Sequence, residues 1–369
     1  MAKINVLSPY HIYFTEANLD SAKIDLYIYT GTQVTSRPGS PTYTIEQNAI
    51  SDKIDFEVSE LIKDFIDISF DGAYTSDTIW FDYQITRTVS TVAQTPETIV
   101  LFNAFYGYGY FNEGVNPVLS LDVLQSNTTI CNLQGEPVYL PVFQDNVTSV
   151  VFSYLGVDQV TETITPILTE DKIIRYATND ALLLYKTRVE DDGGTFEGST
   201  CLTSFLDGIG SNADKITVTT TTGTEIITVK NLEECKYTPI LLTFINKLGA
   251  QQSIWFFKNN IKRNKLKSTD YKANILVDGS YTTSAHQRNV IRKEANESLT
   301  INSGYYPEAH NEIFNQILQS EFVWIEYLGN VEPVIIKTSS FKNKTVLTDD
   351  LISYTFELDF AYDKINNVR

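Results

Sequence analysis

Three residues in the stretch GYYPEAHNEIFNQILQSEFVWIEY, Gly304 to Tyr327, have the types and spacing for chemistry: Glu308, His310 and Glu312. Two carboxylates flanking an imidazole are the ingredients of acid–base catalysis, or two thirds of a metal site. Geometry argues against both. Residues of a regular helix advance by roughly 100° each, so Phe314 and Ile317 fall within about 40° of His310, while Glu308 and Glu312 fall at about 160° and about 200°. The imidazole shares the apolar face and the carboxylates point the other way. The pattern predicts a packing helix over about 307–320, opened by Pro307, with Glu308 at the positive end of its dipole. His310 is expected half-buried beside Phe314.

Other chemical signatures are missing from the sequence. HExxH and the HxE…PCxxC pair are absent, so zinc hydrolysis and deamination lose their usual ligands. There is no phosphate-binding GxxxxGK[ST] and no GxSxG. GYGYFNEG contains GxG, but aromatics crowd it and no βαβ pattern surrounds it. His11 and His286 have no serine or cysteine neighbour that reads as a nucleophile. Paired carboxylates for glycoside hydrolysis stay open, because 46 acids offer too many pairs. The expectation is a non-enzyme, with no catalytic residue, cofactor or metal.

The elements that would position any such group are strands. KIDLYIYTGT (Lys23 to Thr32) and TIWFDYQITRTV (Thr78 to Val89) alternate with period two. KITVTTTTGTEIITV (Lys215 to Val229) reads as a hairpin about Thr222-Gly223. YTPILLTFINKLGAQQSIWFF (Tyr237 to Phe257) reads as another, with Asn246 to Gly249 as its turn. FVWIEYLG, VEPVIIKTSSF and LISYTFELDFAY add three strands, and VSELIKDFI (Val58 to Ile66) is a second helical pattern. With 22 Tyr and 20 Phe the chain has bulk for several cores. The fold class is all-β dominated: a multi-domain, Ig-like β-sandwich chain with a few short helices. The Gly-rich FYGYGYFNEGVNP (Phe105 to Pro117) and the acidic Glu233-Glu234-Cys235 suggest domains at 1–110, 111–235 and 236–369, the last carrying the helix. EDDGGTFEGST (Glu190 to Thr200) reads as an excursion within the middle domain.

Charge sets limits on partners. The net charge of −18 argues against general affinity for nucleic acid or anionic membrane. Cys131, Cys201 and Cys235 form no CxxC pair, which suggests a reducing compartment during assembly. The N-terminus has no signal-peptide pattern and no 18-residue apolar run occurs, so no membrane anchor is expected and the sequons at Asn127, Asn146, Asn296 and Asn343 read as chance. One segment departs from this balance. Lys258, Lys262, Arg263, Lys265, Lys267, Lys272, Arg288, Arg292 and Lys293 stand against Asp270 and Asp278, a local +7 that leaves −25 on the remainder. Three readings apply: a solvated loop, a surface that meets an acidic patch on another chain, or contact with DNA phosphates. The second is preferred, with Lys258, Lys262, Arg263, Lys265 and Lys267 as candidate interface residues.

Three landmarks bring a family into view: YGYGYFNEGVNP, LTFINKLGAQQSIWFF, and the ending SSFKNKTVLTDDLISYTFELDFAYDKINNVR. Together they resemble the ring and hub structural proteins of the tails of crAss-like podoviruses, phages that infect Bacteroidetes. The resemblance implies a virion component of the portal-proximal neck or tail, built of β-sandwich domains in the host cytoplasm. It implies a homo-oligomeric ring that meets other tail and neck proteins and through which genomic DNA passes, and it carries over no catalytic residue. The alternatives are a receptor- or carbohydrate-binding tail fibre or adaptor module, in which exposed aromatics would stack on sugars, and a glycan depolymerase.

Overall fold

A computed structural model of the chain describes residues 2–30, 37–75, 78–117, 122–154, 157–164, 174–179, 213–234, 236–338 and 351–365. Among them 55% lie in strands and 7% in helices, so the protein is an all-β, multi-domain chain. Cys201, Cys235, the Gly31–Thr32 turn, the Glu190–Thr200 excursion and Asn343 lie outside the described residues.

The chain forms two compact units. The first comprises 1–233 together with 243–255 and 309–321; the second comprises 234–242, 256–308 and 322–369. Sheets divide the chain more finely: strands of the three large sheets fall in 2–105, 129–232 and 240–360.

In the first unit, one sheet runs in the order Ala2–Asn5, Glu97–Phe105, Thr78–Val89, Leu19–Tyr29, Tyr43–Asn48. Its alternating apolar residues, among them Ile24, Leu26, Phe81 and Phe102, are buried. A small ribbon, His11–Thr15 paired with Lys53–Glu57, buries Ile54 and Phe56 while Asp55 and Glu57 face water. Helix α1, Ser59–Lys63, follows it. The second sheet runs Val157–Thr163, Val147–Tyr154, Lys215–Thr220, Thr224–Leu232, Thr129–Leu133. The Thr220–Thr224 turn closes through the Thr220 N–H donating to the Gly223 carbonyl at 2.8 Å, where the sequence places it.

A third cluster joins these parts. Tyr29, Trp80 and Phe105 meet Leu124, Phe143, Ile174, Leu248 and Ala250 in one apolar core. Leu248 and Ala250 belong to the turn between the strands Ile240–Ile245 and Gln251–Phe256. That turn needs its glycine. Gly249 has φ +77°, and a Cβ there would sit 2.9 Å from both the Phe105 Cβ and the Tyr106 backbone nitrogen.

The second unit is built on the strands Val323–Tyr327, Asn330–Ile336, Thr355–Phe360, Arg288–Asn302 and Ile261–Lys272, in that order. Pro307 does not open the long helix. It pairs with Leu351 in a two-residue strand, Glu308–His310 forms a single 3-10 turn, and α2 spans Asn311–Gln319. Pro307 can sit in that pairing because it is an edge position, where its missing N–H costs nothing.

Gly249→Ala should lower the thermal midpoint of the first unit by an amount equivalent to about 1–3 kcal/mol, through left-handed strain and backbone overlap. Gly223→Ala, where an added Cβ meets nothing within 4 Å, should be close to neutral. Comparing the two variants by calorimetry checks this; equal midpoints would contradict it.

Candidate functional site

The helix that carries His310 is held by polar groups from distant parts of the first unit. The buried face of α2 is Ile313, Phe314, Gln316 and Ile317, and His310 at its start is 1% exposed. The apolar side therefore lies where the spacing places it, and the histidine is buried more completely than expected. Glu312 points away from that face but is not simply solvated. It accepts the Tyr110 hydroxyl at 2.7 Å and the Gln316 side-chain amide at 3.0 Å.

Two neighbouring tyrosines of the glycine-rich segment act in the same way. The Tyr108 hydroxyl donates to Gln319 at 2.7 Å and that of Tyr106 to Glu321 at 2.5 Å. Glu321 also lies 3.9 Å from Lys63. Tyr106, Tyr108 and Tyr110 are two residues apart, so an extended backbone sends all three to one side. The intervening glycines let the backbone approach closely: a Cβ on Gly107 would lie 2.5 Å from the Lys247 carbonyl oxygen. The segment read from sequence as a domain edge is thus a latch on the helix.

Burial brings together one pair that sequence reasoning missed. Cys131 Sγ lies 3.6 Å from His310 Nε2, 179 positions away. A thiol beside an imidazole is the arrangement of a nucleophilic dyad. Here both residues are buried, and burial pushes the Cys131 thiol up to about 11. Activation requires the opposite shift and access for substrate. The pair packs. Nothing in the sequence could have signalled it, because neither residue sits in a motif.

Among the described residues no three His, Cys, Asp or Glu side chains gather as metal ligands. His11 pairs with Asp55 at 3.0 Å on the exposed ribbon, and His286 lies on an exposed turn.

The basic segment departs from expectation most. It is not a loop. Ile261–Lys272 and Arg288–Asn302 form a long antiparallel hairpin, and all twelve residues of its first strand are exposed. Period two is invisible in the hydropathy because neither face is buried, so nothing in the sequence alternates. The ladder is backed by Thr355–Phe360 only as far as Ser298–Asn302. From Lys267–Glu294 outward it is two strands wide and ends in a tight turn at Asp278-Gly279, both with positive φ.

The candidate lysines do not all face outward uncommitted. Lys258 pairs with Glu234 at 2.5 Å, Lys262 with Glu297 at 2.8 Å, and Lys265 with Asp359 at 2.9 Å and Glu357 at 3.3 Å. Hydrogen bonding to Glu297 raises the Lys262 pKa, and the same contact lowers that of Glu297. Lys267 reaches Glu294 only at 3.9 Å and is 83% exposed. Arg263, Lys272 and Lys293 make no ion pair among the described residues. The least committed charge thus includes Arg263 and Lys267 of the candidate set, with Lys272 and Lys293 farther along the arm.

Neither a known protein family nor a curated protein sequence matches this chain.

Replacing His310 by Ala should destabilise the first unit by ~1–3 kcal/mol through lost packing, without altering metal content; stoichiometric zinc lost in the variant would refute the packing assignment. The latch carries a pH signature. Burial raises the pKa of Tyr108 from 10.0 to about 12, and raises those of Tyr106 and Tyr110, with their carboxylate partners adding to it. A raised folded pKa means that this stability is fully present below about pH 10 and is lost as pH rises through about 12. Urea midpoints measured between about pH 8 and about pH 11 should fall above pH 10, and fall less steeply when all three tyrosines are Phe.

Proposed function

We propose that this chain is a structural subunit of a phage virion, a ring or hub protein of the portal-proximal neck or tail through which the genome passes. The observation that carries the reading is the exposed arm. An isolated two-stranded ribbon is marginally stable in water, and this one carries Leu266, Tyr271, Val290 and Ile291 with half or more of their surface exposed. Such a ribbon makes physical sense in a protein whose working state is an assembly, where a neighbour supplies the missing layer. The resemblance of the three landmark stretches to tail ring and hub proteins points the same way, as does a body built of strands with a latched, inaccessible Cys–His pair.

Native mass spectrometry of the purified 41.7 kDa chain should give a single large multiple of the subunit mass, and electron microscopy should show closed rings. Antibodies to the chain should decorate the neck or tail of purified virions. A trimer that binds glycans would support a receptor-binding fibre module instead, and a monomer at all concentrations would remove the ring reading.

A further inference from the structure

We infer that the basic arm of one copy docks on the acidic strand–helix strip Asp52–Asp71 of the next copy, a head-to-tail contact. This rests on the ring reading and names the surfaces that build it. On one side stands the ribbon described above. From Leu266 to the turn at Asp278 is a reach of up to about 40 Å at strand rise. The 29 residues from Lys265 to Lys293 are nearly all exposed, comparable to the ~20–30 residues a side of a standard interface. Its tip adds exposed Leu276, Val277 and Tyr281, and a hollow of about 510 Å³ lies between Lys272, Leu276, Tyr281 and Gln287.

The arm's chemistry excludes one occupant and favours another. Ile261–Lys272 is the outermost strand of its sheet, so its free edge could in principle pair with the same edge of a second copy. Lysines and arginine along that edge oppose it, as edge charges commonly do, because two such edges would set like charges against each other. A symmetric arm-to-arm dimer is disfavoured. What remains is a different surface, acidic and partly apolar, and −25 of charge lies outside the basic segment.

The strip Asp52–Asp71 has that character. Asp52, Asp55, Glu57, Glu60, Asp64, Asp67 and Asp71 are all exposed, against Lys53 and Lys63, a local −5. Lys63 is already turned toward Glu321. Glu60, Asp64 and Asp67 make no ion pair among the described residues. Exposed Ile50 and Phe65 flank the acids, giving apolar side chains of the arm something to cover. Because the two surfaces differ, each copy offers one and receives the other, and the contact propagates until it closes.

Two charge-reversed chains test this. One carries Arg263→Glu, Lys267→Glu, Lys272→Glu and Lys293→Glu; the other carries Glu60→Lys, Asp64→Lys and Asp67→Lys. Each alone should need about tenfold or more higher concentration to assemble, while an equimolar mixture should regain assembly, because each reversed arm then finds a reversed strip. Circular dichroism melts of the monomers establish that both fold. Independently, carbodiimide coupling of mixed light and heavy wild-type protein should give hybrid cross-links from Lys267, Lys272 or Lys293 to Glu60, Asp64 or Asp67. Wild-type assembly of either single variant overturns the contact and leaves the ring reading standing. So does a folded mixture that stays unassembled, or an absence of hybrid cross-links in a wild-type ring. Arm-dependent binding of short duplex DNA, abolished by the first variant while ring size is unchanged, also overturns it. A wild-type chain that never oligomerises removes the ring reading itself.

Discussion

A cluster of buried side-chain amides is the constraint on which the first unit depends. Asn246 is fully buried, and its two polar atoms serve four partners. Its amide donates to the Leu124 carbonyl at 2.8 Å and to Gln252 at 2.9 Å, and its oxygen accepts the Leu248 and Ala250 N–H groups at 3.0 and 3.1 Å. The Ser126 hydroxyl sits between Gln252 and Gln316, at 2.8 and 2.7 Å, and the Lys247 N–H donates to Gln316 at 3.0 Å. A buried amide left without partners costs about 1–3 kcal/mol, so such a cluster tolerates one arrangement and penalises near misses. It fixes three stretches far apart in sequence: residues 124–126, the turn at 246–252, and the helix through Gln316.

That arrangement explains how the catalytic-looking residues of this helix come to be used in packing. Once Gln316 is held inside the cluster and Ile313, Phe314 and Ile317 are packed, His310 can only face inward, toward Cys131. Its flanking acid Glu312 is left on the side where Tyr110 reaches it. The latch uses phenols withdrawn from water by burial, two of them donating to carboxylates, which makes those two bonds charge-assisted. Of the three groups, His310 and Glu312 are thus engaged by structural partners.

The arm obeys a different economy. It has no core, its hydrogen bonds are exposed, and its ion pairs are surface pairs of small net worth. Its stability in isolation comes from strand pairing and a favourable Asp-Gly turn. This is a surface with apolar side chains and unneutralised charge, and both gain from being covered by a body of opposite sign.

Periodicity in the sequence by itself determined the all-β class, both hairpins with their turns at Thr222-Gly223 and Asn246–Gly249, and the apolar face of α2. Where one face is buried, as in Lys215–Thr220 and α2, alternation or helical spacing is written into residue type; Ile240–Ile245, buried on both faces, reads instead as a short apolar run. Composition also determined that residues 258–293 are basic against an acidic remainder. Tertiary structure alone decided what those residues became. The arm could not be read as strands because exposure on both faces erases the pattern that marks a strand. The Cys131–His310 pair, the amide cluster about Asn246 and the tyrosine latch each join positions more than a hundred residues apart. Local propensity carries no information about such pairings. They are selected when the folded chain buries polar groups together, where most must find a partner.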